Sequence, residues 1–182
     1  MTSSRPSVVV ILAAGEGKRM KSATPKVLHA VAGRSLLGHV IEAASAVEPQ
    51  HLMVVVGHGR DEVTEHVHEI APWALTVVQE TQNGTGHALR IALDDLSARG
   101  IGVNEGPVVV LTGDTPLLTG ATLASLLLEH DATHAAATVL TARLDDPTGY
   151  GRIVRDGSGS VSAIVEDKDA TDDQRSVDEI NS

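Results

Sequence analysis

Apolar and polar positions follow one another in blocks along this chain. Val8–Leu12 (VVVIL) is an uninterrupted β-branched run, too short for a helix, and predicts a strand buried on both faces. A polar, glycine-rich stretch follows to about Gly33. Ser35 then stands where a helix cap belongs, and Leu36, Leu37, Val40, Ile41 and Ala44 recur at helical spacing. His51–Val56 predicts a second strand, ended by Gly57 and followed by a helix over about Asp61–Ile70. Leu75–Gln79 reads as the third strand. Beyond Gly84–Gly86, Ala88, Leu89, Ala92, Leu93 and Leu96 line one face of a helix. Pro107–Thr112 is expected as a central fourth strand, Leu123–Leu128 as a helix and Ala135–Ala142 as a fifth strand.

Strand–helix alternation at this spacing requires crossover connections. It predicts an α/β fold: a Rossmann-like, mostly parallel sheet with helices on both faces. Such sheets bind ligands at the carboxyl ends of their strands, so chemistry should follow strands one, three and four directly. Strand one runs into Ala13-Ala14-Gly15-Glu16-Gly17, strand three into Gln79 and Gly84-Thr85-Gly86, and strand four into Gly113-Asp114. Past Asp145 the pattern changes. Pro147, Gly149, Gly151, Gly157 and Gly159 punctuate two short strand candidates, Arg152–Arg155 and Val161–Glu166, which read as a hairpin. The chain is expected to be one domain, residues 1–182, with a nucleotide-binding core of about 1–145 and a sugar-binding hairpin and acidic tail of about 146–182.

Composition narrows the partners. Among 182 residues there are one Trp, one Tyr and no Phe, so the core is built from Val, Leu, Ile and Ala, and stacking platforms for single-stranded nucleic acid are excluded. With no cysteine there are no disulfides, thiolate metal sites or thiol nucleophiles. No stretch approaches membrane-span length, and the five-residue apolar run near the N-terminus is too short for a signal-peptide core, so a cytoplasmic protein is expected. The net charge of −10 argues against nucleic acid and membrane surfaces as partners. That charge is uneven. Ala163–Ser182 holds seven acidic and two basic residues, whereas Gly15–Lys26 holds Lys18, Arg19, Lys21 and Lys26 against Glu16 alone. A short basic loop on an acidic protein has the character of a local polyanion site, although a solvated turn would look the same.

The loop itself is the most informative stretch: Leu12-Ala13-Ala14-Gly15-Glu16-Gly17-Lys18-Arg19-Met20, then Pro25-Lys26. Glycines straight after a strand let backbone N–H groups approach a phosphate closely. The dinucleotide fingerprint fails because Met20 stands at its third glycine, and the P-loop fails because Arg19 follows Gly17-Lys18 and the first glycine is missing. What remains is a glycine loop carrying Arg19, a bidentate phosphate ligand, and Lys26, a compact second cation. Nucleotidyl transfer needs such charges, because two polyanions must be brought together for in-line attack at phosphorus.

This L-x-A-A-G-x-G-x-R-M-x-x-x-x-P-K pattern resembles the signature of the sugar-nucleotide pyrophosphorylase superfamily. With Gln79 and Gly84-Thr85-Gly86-His87-Ala88, Gly113-Asp114-Thr115-Pro116-Leu117, Leu144–Ile153, Ile164–Ala170 and Glu179-Ile180-Asn181, the chain is similar to the N-terminal uridylyltransferase domain of bacterial bifunctional enzymes that also acetylate glucosamine-1-phosphate. The resemblance runs from about Val8 to the last residue and implies Mg²⁺-dependent uridylyl transfer from UTP to N-acetylglucosamine-1-phosphate, giving UDP-N-acetylglucosamine for cell-wall precursors. It implies nucleotide contacts from Leu12, Ala13, Ala14, Gly15 and Gly113, uracil recognition by Gln79 and Gly84, and base and ribose contacts from Thr85. Arg19 and Lys26 would bind and activate the triphosphate, Asp114 would ligate Mg²⁺, and Gly151, Glu166 and Asn181 would recognise the N-acetylglucosamine moiety. The family domain extends past the position of Ser182 with a second metal-binding carboxamide, then an acetyltransferase domain through which it trimerises. The expected sheet is therefore C-terminally incomplete.

Other readings stay open: a guanylyl- or cytidylyltransferase, a dinucleotide-binding module, or a non-catalytic nucleotide-binding fragment. Among individual residues, Asp114 could be a turn or cap residue and Glu166 a surface residue. Tyr150 reads as a packed aromatic, His66 and His68 as solvated, and Asp172–Asp173 as exposed charge. His29 and His87 stand in motif regions with no chemistry assigned to them.

Overall fold

The structure, a computed structural model, describes residues 5–17, 20, 22–103 and 106–181. The chain divides into two compact units, Met1–Thr133 and His134–Ser182.

The first unit is laid out around β1 (Val8–Ala13), whose residues Val8 to Ile11 are fully buried. A continuous apolar run survives in a strand only where both faces are covered, and both are. After β1 the chain forms a single 3₁₀ turn at Lys26–Leu28 and a two-residue ribbon of β2 (Ala30–Val31) and β3 (Arg34–Ser35). It then enters α1 (Leu36–Ser45). The Ser35 hydroxyl accepts from the Gly38 N–H at 2.9 Å, the cap expected from sequence. β4 (His51–Val56), α2 (Arg60–Ile70), β5 (Leu75–Val78), α3 (Thr85–Ala98), β6 (Val108–Thr112) and α4 (Gly120–Thr133) complete the unit. The strands lie in the order β5-β4-β1-β6, all parallel, with Val8 opposite His51 on one side and Val108 on the other. Val9, Ile11, Val54 and Val56 face one core with Leu37, Val40, Val63, Val67 and Leu123, while Val8, Val10, Met53 and Val55 face Ala88, Ala92 and Leu96 of α3. Helices therefore cover both faces, as the alternation predicts.

Several expectations need correction. Among the described residues β6 is an edge strand rather than a central one, and its Val108 and Val110 are 37% and 42% exposed. Ala135–Ala142 adds no fifth strand to the parallel sheet; only β7 (Thr141–Arg143) forms there, and it belongs to the second unit. A run of small residues buries too little surface to hold a core strand. His66 is not free in solvent: its Nε2 lies 2.7 Å from the Ser35 hydroxyl, linking α2 to the cap of α1.

The second unit is an antiparallel sheet in the order β7-β10-β8-β9. β8 (Arg152–Arg155) and β9 (Val161–Val165) are the expected hairpin. The acidic stretch after it is not a tail. It folds into a 3₁₀ turn at Asp167–Asp169, a short helix α5 (Asp172–Arg175) with a Thr171–Gln174 capping box, and β10 (Glu179–Asn181), which inserts between β7 and β8. Asp172 and Asp173 lie in the exposed first turn of α5, as read from sequence.

Candidate functional site

The polar loops leaving the carboxyl ends of the four parallel strands are tied to one another. The Ala14 carbonyl, just past β1, accepts from the His58 N–H beyond β4 at 3.3 Å and from Gln82 Nε2 beyond β5 at 2.7 Å. Beyond β6, the Gly113 N–H donates to the Leu12 carbonyl at 2.9 Å. Two close approaches demand glycine. Gly59 caps α2 with φ +63°, and a Cβ there would lie 2.4 Å from Pro25 Cγ; Gly17 has φ +59°, and its Cβ would lie 2.9 Å from Lys26 Cβ. The Pro25–Lys26 segment is thereby seated against the loops that follow β1 and β4.

From that seat Lys26 reaches Asp114, with Nζ 2.5 Å from Oδ2 and the side chains 38% and 32% exposed. A cation from the first loop and a carboxylate from the fourth thus neutralise each other while both keep access to solvent. Among the described residues no three His, Asp or Glu side chains form a preformed metal cage. A single accessible carboxylate nonetheless fits Mg²⁺, which gives up its waters reluctantly and is commonly held by one or two carboxylates together with substrate phosphates. Arg19 lies outside the described residues, as do its neighbours Lys18 and Lys21.

On the other flank Gln79 is 5% exposed and anchored by its own N–H to the Val56 carbonyl at 2.8 Å. Its side-chain nitrogen donates to the Gly84 carbonyl at 3.3 Å and contacts His87 Nδ1 at 3.0 Å. Gln79, His58, Arg60, Glu80 and Gln82 line a polar cleft of about 460 Å³ beside the Ala14 loop. Gly84, at φ +89°, starts α3 without a side-chain cap, and Thr85 and Gly86 follow it exposed. Ala13 and Ala14 are buried, Leu12 is half-buried and Gly15 is exposed. The structure therefore brings Leu12 to Gly15, Lys26, Gln79, Gly84, Thr85, Gly113 and Asp114 to one end of the parallel sheet.

In the second unit Gly151, Glu166 and Asn181 share one register position. The Asn181 N–H donates to the Gly151 carbonyl at 3.2 Å, and Ile180 and Val165 pair with Arg152 from either side. A Cβ on Gly151 would lie 2.5 Å from Asn181 Oδ1, so only glycine leaves room for that carboxamide. Glu166 is exposed at the end of β9. Arg152, 2% exposed, donates to the Tyr150 carbonyl and to Asp167 Oδ1 at 3.0 Å, holding the strands' neighbouring turns. Tyr150 itself is 50% exposed, which corrects the expectation of a packed aromatic: its carbonyl, not its ring, is what the fold uses. Arg155 and then Thr141 donate to the buried Glu179 carboxylate and hold its pKa at about 2, well below its ordinary value.

Sequence reasoning missed Gln82, His87, Arg152 and Glu179. His87 and Arg152 stand inside quoted motifs, so their positions were visible and their partners were not. Glu179 likewise stands in the quoted Glu179-Ile180-Asn181 motif, while Gln82 had no pattern to mark it.

Comparison with known proteins gives a consistent picture. The profile of the MobA-like NTP transferase domain matches residues 9–171. The chain is 59% identical over 182 residues to the bifunctional protein GlmU of Thermobifida fusca and 61% identical over 183 residues to that of Streptomyces avermitilis. Each match takes in 100% of this chain and 37% of the relative, so the chain spans a little over a third of their length. Among solved structures, that of HddC from Yersinia pseudotuberculosis superimposes with a TM-score of 0.68 at 20% identity, covering 88% of this chain and 69% of that one, which speaks for the fold.

Proposed function

Since the chain belongs to the MobA-like NTP transferase domain family, we propose that it catalyses the uridylyl transfer of a sugar-1-phosphate nucleotidyltransferase, joining UTP and N-acetylglucosamine-1-phosphate into UDP-N-acetylglucosamine. A phosphate oxygen of the sugar phosphate attacks the α-phosphorus of UTP. The bond from that phosphorus to the α–β bridging oxygen breaks, and pyrophosphate leaves with the electron pair. The nucleophile is already anionic at neutral pH, so no general base is required. The protein's part is to gather the anions and hold them in line. Lys26 and Arg19 provide the cationic grip on the triphosphate, and Gln79, Gly84 and Thr85 hold the base and ribose. Gly113 and the Leu12–Gly15 backbone form the floor beneath them. Asp114 would hold Mg²⁺, which when bound spreads positive charge over the phosphate oxygens. Gly151, Glu166 and Asn181 take the N-acetylglucosamine moiety. UTP as the substrate puts this chemistry in the cytoplasm.

The observation that carries the reading is the meeting of Lys26 with Asp114, 88 residues apart, at the same end of the parallel sheet as the Gln79–Gly84 loop. Calorimetry in the presence of Mg²⁺ tests it. UTP and UDP-N-acetylglucosamine should bind, NAD should not, and Arg19→Ala should weaken UTP binding about ten- to a hundredfold through loss of a charge-assisted contact. Tighter binding of GTP or CTP than of UTP would reject the base assignment.

A further inference from the structure

The geometry points to His87 as the residue that decides which pyrimidine Gln79 accepts. The inference rests on Gln79 being the base contact proposed above. A carboxamide offers a carbonyl on one side and an NH₂ on the other, so what Gln79 recognises depends on which way round it is held. The Gly84 carbonyl can only accept, so the side-chain atom 3.3 Å from it is the amide nitrogen. That same nitrogen lies 3.0 Å from His87 Nδ1. An amide nitrogen has no lone pair to offer, so Nδ1 is the acceptor and the imidazole carries its proton on Nε2.

Both amide hydrogens are therefore used within the protein. Turned round, Oε1 would face two acceptors, the Gly84 carbonyl and Nδ1. What Gln79 presents is Oε1, to which no described residue donates, in a side chain otherwise buried at the rim of the polar cleft. An outward carbonyl pairs with the N3–H of uracil. Against cytosine it sets lone pair against lone pair, because N3 there is an acceptor. A reversed amide would do the opposite. Of the two contacts that prevent reversal, the one to His87 is the shorter, and it comes from a side chain on α3 rather than from the loop that would meet the base. His87 is thus a specificity-determining residue that need not touch the nucleotide.

The test is calorimetry on the whole 182-residue chain, with Mg²⁺ and either UTP or CTP. His87→Leu keeps the bulk and removes the acceptor, and it should lower the UTP-to-CTP affinity ratio about five- to tenfold, the worth of one hydrogen bond gained or lost. His87→Asn, whose Oδ1 can accept from the same amide, should restore the ratio to within about threefold of wild type. Nitrogen chemical shifts of the wild-type imidazole should show Nδ1 unprotonated at neutral pH, a readout that needs no variant to fold. A proton on Nδ1, a ratio unchanged in His87→Leu, or no rescue by His87→Asn would overturn the inference. A wild-type chain that binds CTP as well as UTP would instead overturn the reading of Gln79 on which it rests.

Discussion

Asp114→Asn separates a contact made for folding from one made for a ligand. The substitution keeps the shape of the side chain and removes the charge that Lys26 faces at 2.5 Å. Both partners keep about a third of their side-chain surface in solvent, and pairs so exposed contribute about 0.2–1 kcal/mol in double-mutant cycles. The variant should therefore lose at most about 1 kcal/mol of stability, which for a chain of this size shifts Tm by about 2–4 °C. Its effect on UTP should depend on the metal. Without Mg²⁺ the carboxylate repels the triphosphate and engages Lys26, so removing it should strengthen UTP binding by up to about fivefold. With Mg²⁺ the same substitution removes a charge-assisted ligand worth about 1.5–3 kcal/mol and should weaken binding about 10- to 150-fold. Lys26→Met should weaken binding in both conditions. The assay is calorimetry with UTP in Mg²⁺ and in EDTA, alongside urea denaturation of each variant. If Asp114→Asn moves the affinity in the same direction in both buffers, the carboxylate is not a metal ligand. If it costs more than about 2 kcal/mol of stability, the pair is structural.

Other predictions rest on separate parts of the fold. Arg155 and Thr141 depress the Glu179 carboxyl from 4.5 to about 2, so it stabilises the fold above the unfolded-chain value and stops doing so as pH falls through its folded one. Urea denaturation from about pH 6 down to about pH 2 should show stability draining across that window, and an unaltered slope in Glu179→Gln would refute the assignment. Gly59→Ala meets both a left-handed φ of +63° and Pro25 Cγ at 2.4 Å, whereas Gly33→Ala meets φ +82° alone with no atom within 4 Å. Each should lose about 1–2 kcal/mol for the backbone, but only Gly59→Ala should also weaken UTP binding by displacing Lys26. Gly151→Ala forces Asn181 Oδ1 aside from 2.5 Å and should weaken UDP-N-acetylglucosamine binding while leaving Mg²⁺-UTP binding within about twofold. Equal losses for both ligands would count against a sugar-specific role.

How much of this was legible in the sequence follows from the range of the interactions. Val8–Leu12 could be read because a continuous β-branched run is compatible with few environments, and Ser35 because a cap acts on the N–H three residues away. The parallel sheet followed from alternation alone. The edge position of Val108–Thr112 did not, because an apolar strand reads the same with one neighbour as with two. Ala135–Ala142 misled for a related reason: β-compatible residues make a strand only where something covers them. Acidic Ala163–Ser182 looked like a solvated tail because its neutralising partners, Arg152 for Asp167 and Arg155 for Glu179, precede it by 15 and 24 residues. Glycine motifs located the candidate site on the chain. They could not reveal that Gln82 holds the Ala14 carbonyl or that Lys26 meets Asp114, because those contacts span 68 and 88 residues and exist only once the sheet has formed.

Those long-range contacts also bear on why the site could act without a reactive side chain. Catalysis by position requires groups that do not rearrange when charge develops, and a polar group is held still when its other hydrogen-bonding capacity is already taken. The Ala14 carbonyl is taken by His58 and Gln82, the Gln79 amide by Gly84 and His87, and the Gly113 N–H by Leu12. Among the described residues, these commitments leave over one carbonyl oxygen on Gln79, the uncapped start of α3, and a lysine whose present partner is a carboxylate suited to a metal ion. A uridine triphosphate with its cation offers the complement of each: an N3–H, phosphate oxygens and Mg²⁺. A dinucleotide without a bound cation would leave the Lys26–Asp114 pair closed and have nothing to exchange for it. The selectivity proposed for this chain therefore comes less from any single contact than from which polar groups of the described loops are already committed to one another.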